Sequence, residues 1–214
     1  MSWRVLDLSV KRVFDTVCSL LGLGVLALPF LVVAALVKLH DGGPVFHQGV
    51  RIGRRGKPFR IFKFRTMVVN ADRIGGPSTA DGDPRVTGGG RFLRKYKLDE
   101  LPQLINVVVG QMSLVGPRPE VPEYVGLFTE EEKAILSVRP GITDWASIWN
   151  PDEGALLAGA TDPEKAYLDE VRPQKIRLQL KYVREHSLWV DLKILLLTLT
   201  TLLFGRGHRT LSRQ

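Results

Sequence analysis

No charged residue occurs between Thr16 and Val37, a run of 22 residues. As one helix it is long enough to cross about 30 Å of hydrocarbon. A signal peptide would have a shorter apolar region and a small-residue cleavage site, and neither is evident here. Uninterrupted apolar sequence of this length also argues against the core helix of a soluble domain. Lys11 and Arg12 precede the run, and Lys38, Arg51, Arg54 and Arg55 follow it. Positive charge on both flanks assigns no direction of crossing, so both ends can lie on the same, cytoplasmic side. Pro29, just past the middle, removes a helical hydrogen bond and permits a bend. These three features predict a helix–break–helix hairpin embedded in one leaflet; an ordinary kinked span is the alternative.

Residues 1–40 therefore read as a membrane-embedded segment, 41–205 as a polar domain, and 206–214 as a basic tail. The net charge is +8, which favours anionic partners such as phosphates, nucleic acid or acidic lipid headgroups. Next to an apolar anchor, the negative cytoplasmic leaflet is the natural partner. The single cysteine, Cys18, excludes an intrachain disulfide, and four histidines lack zinc-ligand spacing. No internal repeat is evident.

After His40 the chain reads as short strands between glycine turns, one beginning at Val45 and Phe46, another carrying Phe59, Ile61, Phe62 and Phe64. Lys57, Arg60, Lys63 and Arg65 alternate with these aromatics. That pattern suits a solvated strand face or a single-stranded nucleic-acid surface, although no recognised nucleic-acid motif accompanies it. A loop rich in Gly, Asp and Pro follows. It ends in Gly88–Gly90, a weak phosphate-loop signal without the Lys and Ser/Thr of a P-loop.

The most informative stretch is LRKYKLDELPQLINVVVGQMSLVGPRP. Leu101, Leu104, Ile105 and Val108 recur at helical spacing, Gly110 is a stop, and Pro102 belongs in a first turn. The expected helix begins near Asp99. That sets Asp99 and Glu100 at the positive end of its dipole, where backbone N–H groups can hold a phosphate. An ionised aspartate can attack phosphorus, and a neighbouring glutamate can orient or deprotonate a second reactant. Paired carboxylates also suit Mg²⁺ shared with substrate phosphates. Asp followed by Glu at a helix start is equally ordinary capping grammar.

SLVGPRP following KLDELPQLINVVVG resembles the bacterial sugar transferase family, the monotopic phosphoglycosyl transferases. KRVFD, FKFRTM, DPRVTGGGRFLRKYKLDELPQ, RPGIT and VDLKI fall in the family's order, so the resemblance covers about Lys11 to Leu197. It implies an irregular α+β, or α/β, catalytic domain with a re-entrant membrane helix at the bacterial inner membrane and its active site on the cytoplasmic face. It implies transfer of a sugar phosphate from a UDP-sugar to polyprenyl phosphate, with Mg²⁺ as cofactor. Asp99 would be nucleophile and metal ligand, Glu100 its catalytic partner, and Arg118 part of the nucleotide-sugar site, with Lys63, Arg65 and Arg94 candidates for the diphosphate. UDP-sugar, polyprenyl phosphate and anionic lipids would be its partners, and nucleic acid would not.

The sequence departs from the motif in three places. Asp144 and Ser147 stand where many members have glycine and glutamine, Gln179 stands where an aspartate is expected, and the insertion within 144–171 is acidic. Arg172–Phe204 reads as one helical stretch beginning at Pro173. Its last part, Ile194–Phe204 with Trp189 nearby, suits an amphipathic helix in the membrane interface or a core helix.

The hairpin reading is tested by cysteines at Ser2 and Asp41 in a Cys18→Ser background. Both are expected to react with impermeant reagent from the cytoplasmic side only. Labelling from opposite sides of intact cells would establish a true span.

Overall fold

A computed structural model of the chain describes residues 3–74, 82–151, 154 and 161–204. The basic tail and part of the acidic insertion lie outside the described residues. Helix α1 (Trp3–Val25) and helix α2 (Ala27–Asp41) are separated by a 65° bend at Leu26. The bend falls three residues before Pro29 for a local reason. Proline has no N–H to give the carbonyl of Val25, and its ring crowds that carbonyl. The flanking bonds, Leu26 N–H to Gly22 O and Phe30 N–H to Leu26 O, remain intact. Among the described residues no single helix is long and apolar enough to cross a membrane, but the bent pair passes that test together.

The bend directs Phe30 into an aromatic cluster. Its ring lies 4.8 Å from Phe64, which stacks on Phe46 at 5.5 Å. Phe46 and Phe64 are also register partners in the antiparallel pair of β1 (Phe46–His47) and β4 (Lys63–Phe64). A second antiparallel pair joins β2 (Val50–Ile52) to β3 (Pro58–Arg60). Phe59 and Phe64 are buried, so these rings are core and not a platform for stacking bases. The alternation of basic and aromatic residues is thus a strand period with one face in the protein.

The remaining strands, β5 (Ser113–Val115) and β6 (Gly141–Thr143), pair in parallel. Here the backbones of Gly116 and Gly141 nearly touch. A Cβ on Gly141 would meet the Gly116 nitrogen at 2.0 Å, so only glycine fits. The described strands thus form three two-stranded ladders among helices, an irregular α+β arrangement and not a layered α/β sheet.

Helix α3 (Gly88–Lys95) is capped by the Thr87 side chain, which accepts from Gly90 N–H. The triple glycine is therefore the first turn of a helix and not a phosphate loop. Gly90 is required because a Cβ there would lie 2.0 Å from the Thr66 carbonyl oxygen. Helix α4 (Gln103–Val108) runs beneath α1 and ends at Gly110, with φ +90°. Its expected apolar face is only half-buried; Gln103, Asn106 and Val107 are the residues turned into the core. Asn106 accounts for this, because its side-chain oxygen accepts from Phe62 N–H while its amide donates to Arg60 O and Gln111. A satisfied polar side chain is as well accommodated inside as an apolar one.

Short helices α5 (Pro122–Val125) and α6 (Trp145–Trp149) precede the C-terminal part. There α7 (Pro163–Ala166) runs through a π-helical turn, Tyr167–Val171, into α8 (Arg172–Glu185). Helical backbone thus begins before Pro173, and it is interrupted at His186–Ser187 before α9 (Leu188–Phe204). The main core gathers Val115, Trp145, Ile148, Leu178, Tyr182 and Ile194 from β5, α6, α8 and α9.

The KRVFD segment holds α1 to this core. Lys11 Nζ donates to Asp191 at 2.5 Å and to Val115 O. Arg12 donates to the carbonyls of Val107 and Val108 at the end of α4. Asp15, buried, accepts from the Ser113 hydroxyl. Outside this contact, α1, α2 and α9 expose a run of apolar side chains, including Val13, Leu21, Val25, Leu28, Leu39, Trp189, Leu196 and Phe204. Asp41 at the end of α2 pairs with Arg65, so exposed His40 is the better cysteine position for topology labelling.

Candidate active site

Asp99 and Glu100 lie in a 3-10 turn, Leu98–Glu100, one turn ahead of α4 and not on it. Two local features produce the offset. Lys97 takes a left-handed backbone, φ +55°, and Pro102 occupies the N-cap position of α4. Neither carboxylate caps a helix, so the dipole does not hold them. Side-chain cations do.

Glu100 is buried and gripped from two directions. Arg118 forms a two-pronged pair, Nη2 to Oε1 at 2.5 Å and Nη1 to Oε2 at 3.1 Å. Lys63 Nζ donates to Oε1 at 2.8 Å. Burial on its own raises the Glu100 carboxyl. Arg118 and Lys63 outweigh that effect and hold it well below the usual range. Burial lowers Lys63, and Arg118 lowers it further, while Glu100 opposes both.

Asp99 is in the opposite condition. It is 6% exposed, and among the described residues no group donates a hydrogen bond to its Oδ1. Burial and the neighbouring Glu100 raise its carboxyl above the ordinary aspartate range, against the pull of Lys63, Lys97 and Arg94. Two adjacent carboxylates therefore have divergent environments, one bound by two cationic donors and one with an oxygen left open among the described residues. Such divergence separates chemical roles.

The other candidates divide. Lys63 and Arg118 converge on Glu100. Arg94, with Nε on the Thr66 hydroxyl at 2.9 Å, acts electrostatically on Asp99. Arg65 is placed elsewhere: its guanidinium binds both Asp41 carboxylate oxygens and the Pro44 carbonyl, closing the end of α2. The alternation in FKFRTM gave Lys63 and Arg65 equal standing, but both side chains are already committed by their partners. Sequence reasoning missed Arg51 and Lys97. Arg51, on β2, carries a charge that acts on Glu100, Glu120 and Arg118, and its sequence context carries no distinguishing signal. Lys97 sits in the motif, but its left-handed backbone is invisible without coordinates.

Among the described residues, then, a buried carboxylate oxygen without a hydrogen-bond partner lies in the field of Lys63, Lys97 and Arg94, an environment suited to an anionic ligand. A model of the bacterial sugar transferase family matches residues 6–205, and the chain belongs to that family.

Individual relatives agree. The chain is 36% identical over 203 residues to the UDP-N-acetylgalactosamine-undecaprenyl-phosphate N-acetylgalactosaminephosphotransferase of Aeromonas hydrophila, covering 94% of this chain and 45% of that protein. It is 39% identical over 198 residues to the uncharacterized sugar transferase EpsL of Bacillus subtilis, covering 92% and 89%. It is 42% identical over 200 residues to the UDP-glucose:undecaprenyl-phosphate glucose-1-phosphate transferase of Caulobacter vibrioides, covering 90% and 69%. The chain thus spans less than half of the Aeromonas relative and nearly the whole of the Bacillus one.

The contrast between Lys63 and Arg65 is measurable. Lys63→Gln is expected to lower turnover at least about tenfold, because one of the two charges holding Glu100 is lost. Arg65→Gln is expected to lower the unfolding temperature in detergent with little change in KM for the nucleotide sugar. A large KM effect in the second variant would return Arg65 to the site.

Proposed function

We propose that the chain is a phosphoglycosyl transferase moving a sugar phosphate from a UDP-sugar to polyprenyl phosphate, releasing UMP and initiating glycan assembly. The observation that carries this is the buried, unpartnered Asp99 Oδ1 beside a Glu100 saturated by Lys63 and Arg118. The names of the relatives supply the substrate classes.

In this reading Asp99 is the nucleophile. A carboxylate oxygen attacks the β-phosphorus of the UDP-sugar, and the bond from that phosphorus to the bridging oxygen breaks. UMP leaves with that oxygen and its electrons, and the phosphosugar remains on Asp99 as an acyl phosphate. A phosphate oxygen of the polyprenyl phosphate then attacks the same phosphorus, and Asp99 departs as a carboxylate. Burial keeps Asp99 poorly solvated and therefore reactive when ionised, and Lys63, Lys97 and Arg94 favour its charged form.

Glu100 serves best as an anchor. A carboxyl held well below its usual range is a weak base, but its oxygens fix Lys63 and Arg118 at one point. Those side chains, with Arg94, line the path of the diphosphate and offset its charge.

The residues present also fit Mg²⁺. This ion commonly takes one or two protein carboxylates and completes its shell with substrate phosphates and water. Asp99, with an open buried oxygen, would hold it; Glu100 is already occupied by cations. When bound, the metal would neutralise charge on the leaving phosphate. Among the described residues no cluster of three or more His, Cys, Asp or Glu forms a protein-only cage, so the substrate's own oxygens would be needed.

The exposed apolar surfaces of α1, α2 and α9 support association with the bacterial inner membrane. The 65° bend supports a re-entrant hairpin, with the active site at the cytoplasmic face where nucleotide sugars reside.

With UDP-sugar alone, the enzyme is expected to release a stoichiometric burst of UMP and to gain the mass of one phosphosugar on Asp99. Asp99→Asn is expected to lose both, with turnover reduced roughly 10³-fold or more. No burst from a donor that the complete reaction consumes would exclude the covalent step. Chelation with EDTA is expected to abolish turnover and added Mg²⁺ to restore it. Full activity in metal-stripped enzyme would assign charge neutralisation to Lys63, Arg94 and Arg118 alone.

A further inference from the structure

We propose that Asp144 and Gln179 act together as positioning residues for Arg118, holding its main chain from both sides so that its guanidinium stays directed at Glu100. The two positions are 35 residues apart in sequence and meet in space. Both side chains are completely buried.

The contacts join three segments around the main chain of Arg118. Arg118 N–H donates to Asp144 Oδ2 at 3.2 Å, and the Arg118 carbonyl accepts from Gln179 Nε2 at 3.3 Å. Gln179 Nε2 also donates to Asp144 Oδ2 at 3.4 Å. The other oxygen, Oδ1, accepts from the Ser147 amide at 2.7 Å and its hydroxyl at 2.8 Å, fixing the carboxylate at the start of α6. Arg118 is thus tied to α6 through its nitrogen and to α8 through its oxygen. Pro117 and Pro119 stiffen the chain on either side. The Arg118 side chain is 31% exposed, so surrounding packing only partly sets its direction, and this backbone anchor fixes its origin.

The chemistry couples the two residue types. The two oxygens facing Gln179 are both acceptors, so the amide must present its nitrogen. Its Oε1 accordingly finds no partner in the core. A glutamate at 179 would set a second carboxylate against Asp144 and the Arg118 carbonyl, three acceptors without a donor between them. A carboxylate at 144 therefore calls for a neutral donor at 179. Asp144 and Gln179 thus act as one structural unit. Ser147 belongs to the same set, since its amide and hydroxyl supply two donors to Oδ1.

This inference rests on the reading of Arg118 as a donor-binding side chain, and a double-mutant cycle separates the two. UMP release in detergent, with undecaprenyl phosphate and either UDP-glucose or UDP-N-acetylgalactosamine, whichever the full chain consumes, is measured for five enzymes. They are wild type, Gln179→Glu, Gln179→Met, Asp144→Asn and Arg118→Ala. The three variants at 144 and 179 are then repeated on the Arg118→Ala background, with thermal unfolding followed throughout.

Each single substitution at 144 or 179 is expected to lower kcat/KM by about tenfold, and by less than about twofold once Arg118 is alanine. Effects on unfolding temperature are expected to persist in both backgrounds, which a purely structural role would show for activity as well. Activity losses that multiply in full with Arg118→Ala would overturn the proposal, as would wild-type kcat/KM in both Gln179 variants. If Gln179→Glu does not fold, Gln179→Met, similar in volume and lacking a donor, carries the cycle. Wild-type turnover by Arg118→Ala would instead remove Arg118 from the donor site, and the positioning role with it.

Discussion

Lys11 and Asp191 are 180 residues apart and form a 2.5 Å ion pair beneath the junction of α1 and α9. Asp191 is 1% exposed, and its other oxygen accepts from the Tyr182 hydroxyl at 2.8 Å. Tyr182 and Lys11 also share the Val115 carbonyl as acceptor. Removing one partner of such a buried pair leaves a charge uncompensated and typically costs about 3–5 kcal/mol. An apolar helix cannot otherwise be fixed in register against a polar domain, because apolar contact is non-directional. Lys11, Arg12 and Asp15 provide that direction. Arg12 closes the end of α4, so the position of α1 is transmitted to the helix that follows the Asp99–Glu100 turn.

From that frame the site follows as an electrostatic division between neighbours. Burial acts on Asp99 and Glu100 in the same direction, yet their carboxyls move in opposite directions because Lys63 and Arg118 are aimed at only one of them. Glu100 gathers the cations Lys63 and Arg118, while the Asp99 Oδ1 beside it is left open among the described residues. Glu100 also explains why a basic site does not fly apart. Lys63 and Arg118 are close enough to repel each other, and the shared carboxylate offsets that repulsion.

Much of this was legible from the residues. The apolar run, its proline, the strand alternation after His40 and the stop at Gly110 each follow from local rules, because each depends on neighbours in sequence. Asp99, Glu100, Lys63 and Arg118 were identifiable as candidates for the same reason: the motif carries them in a fixed order. Local rules failed where a distant group decided the outcome. Arg65 and Lys63 look alike in sequence, yet Arg65 pairs with Asp41 and Lys63 with Glu100. The helix expected to start at Asp99 begins four residues later, because Lys97 turns left-handed and Pro102 cannot donate. Asn106 displaced the apolar face of α4 because three partners outside the helix satisfy its amide.

The sequence by itself determined the family, the long apolar run and the Asp99–Glu100 pair as a candidate site, since these are properties of order and composition along one chain. It registered Asp144, Ser147 and Gln179 only as separate irregularities. Tertiary structure alone decided that they join around the main chain of Arg118, and that one of two adjacent carboxylates is saturated while the other is open. Hydrogen bonds and desolvation depend on where atoms sit in space, and residues 35 or 180 positions apart become partners only once the chain is folded.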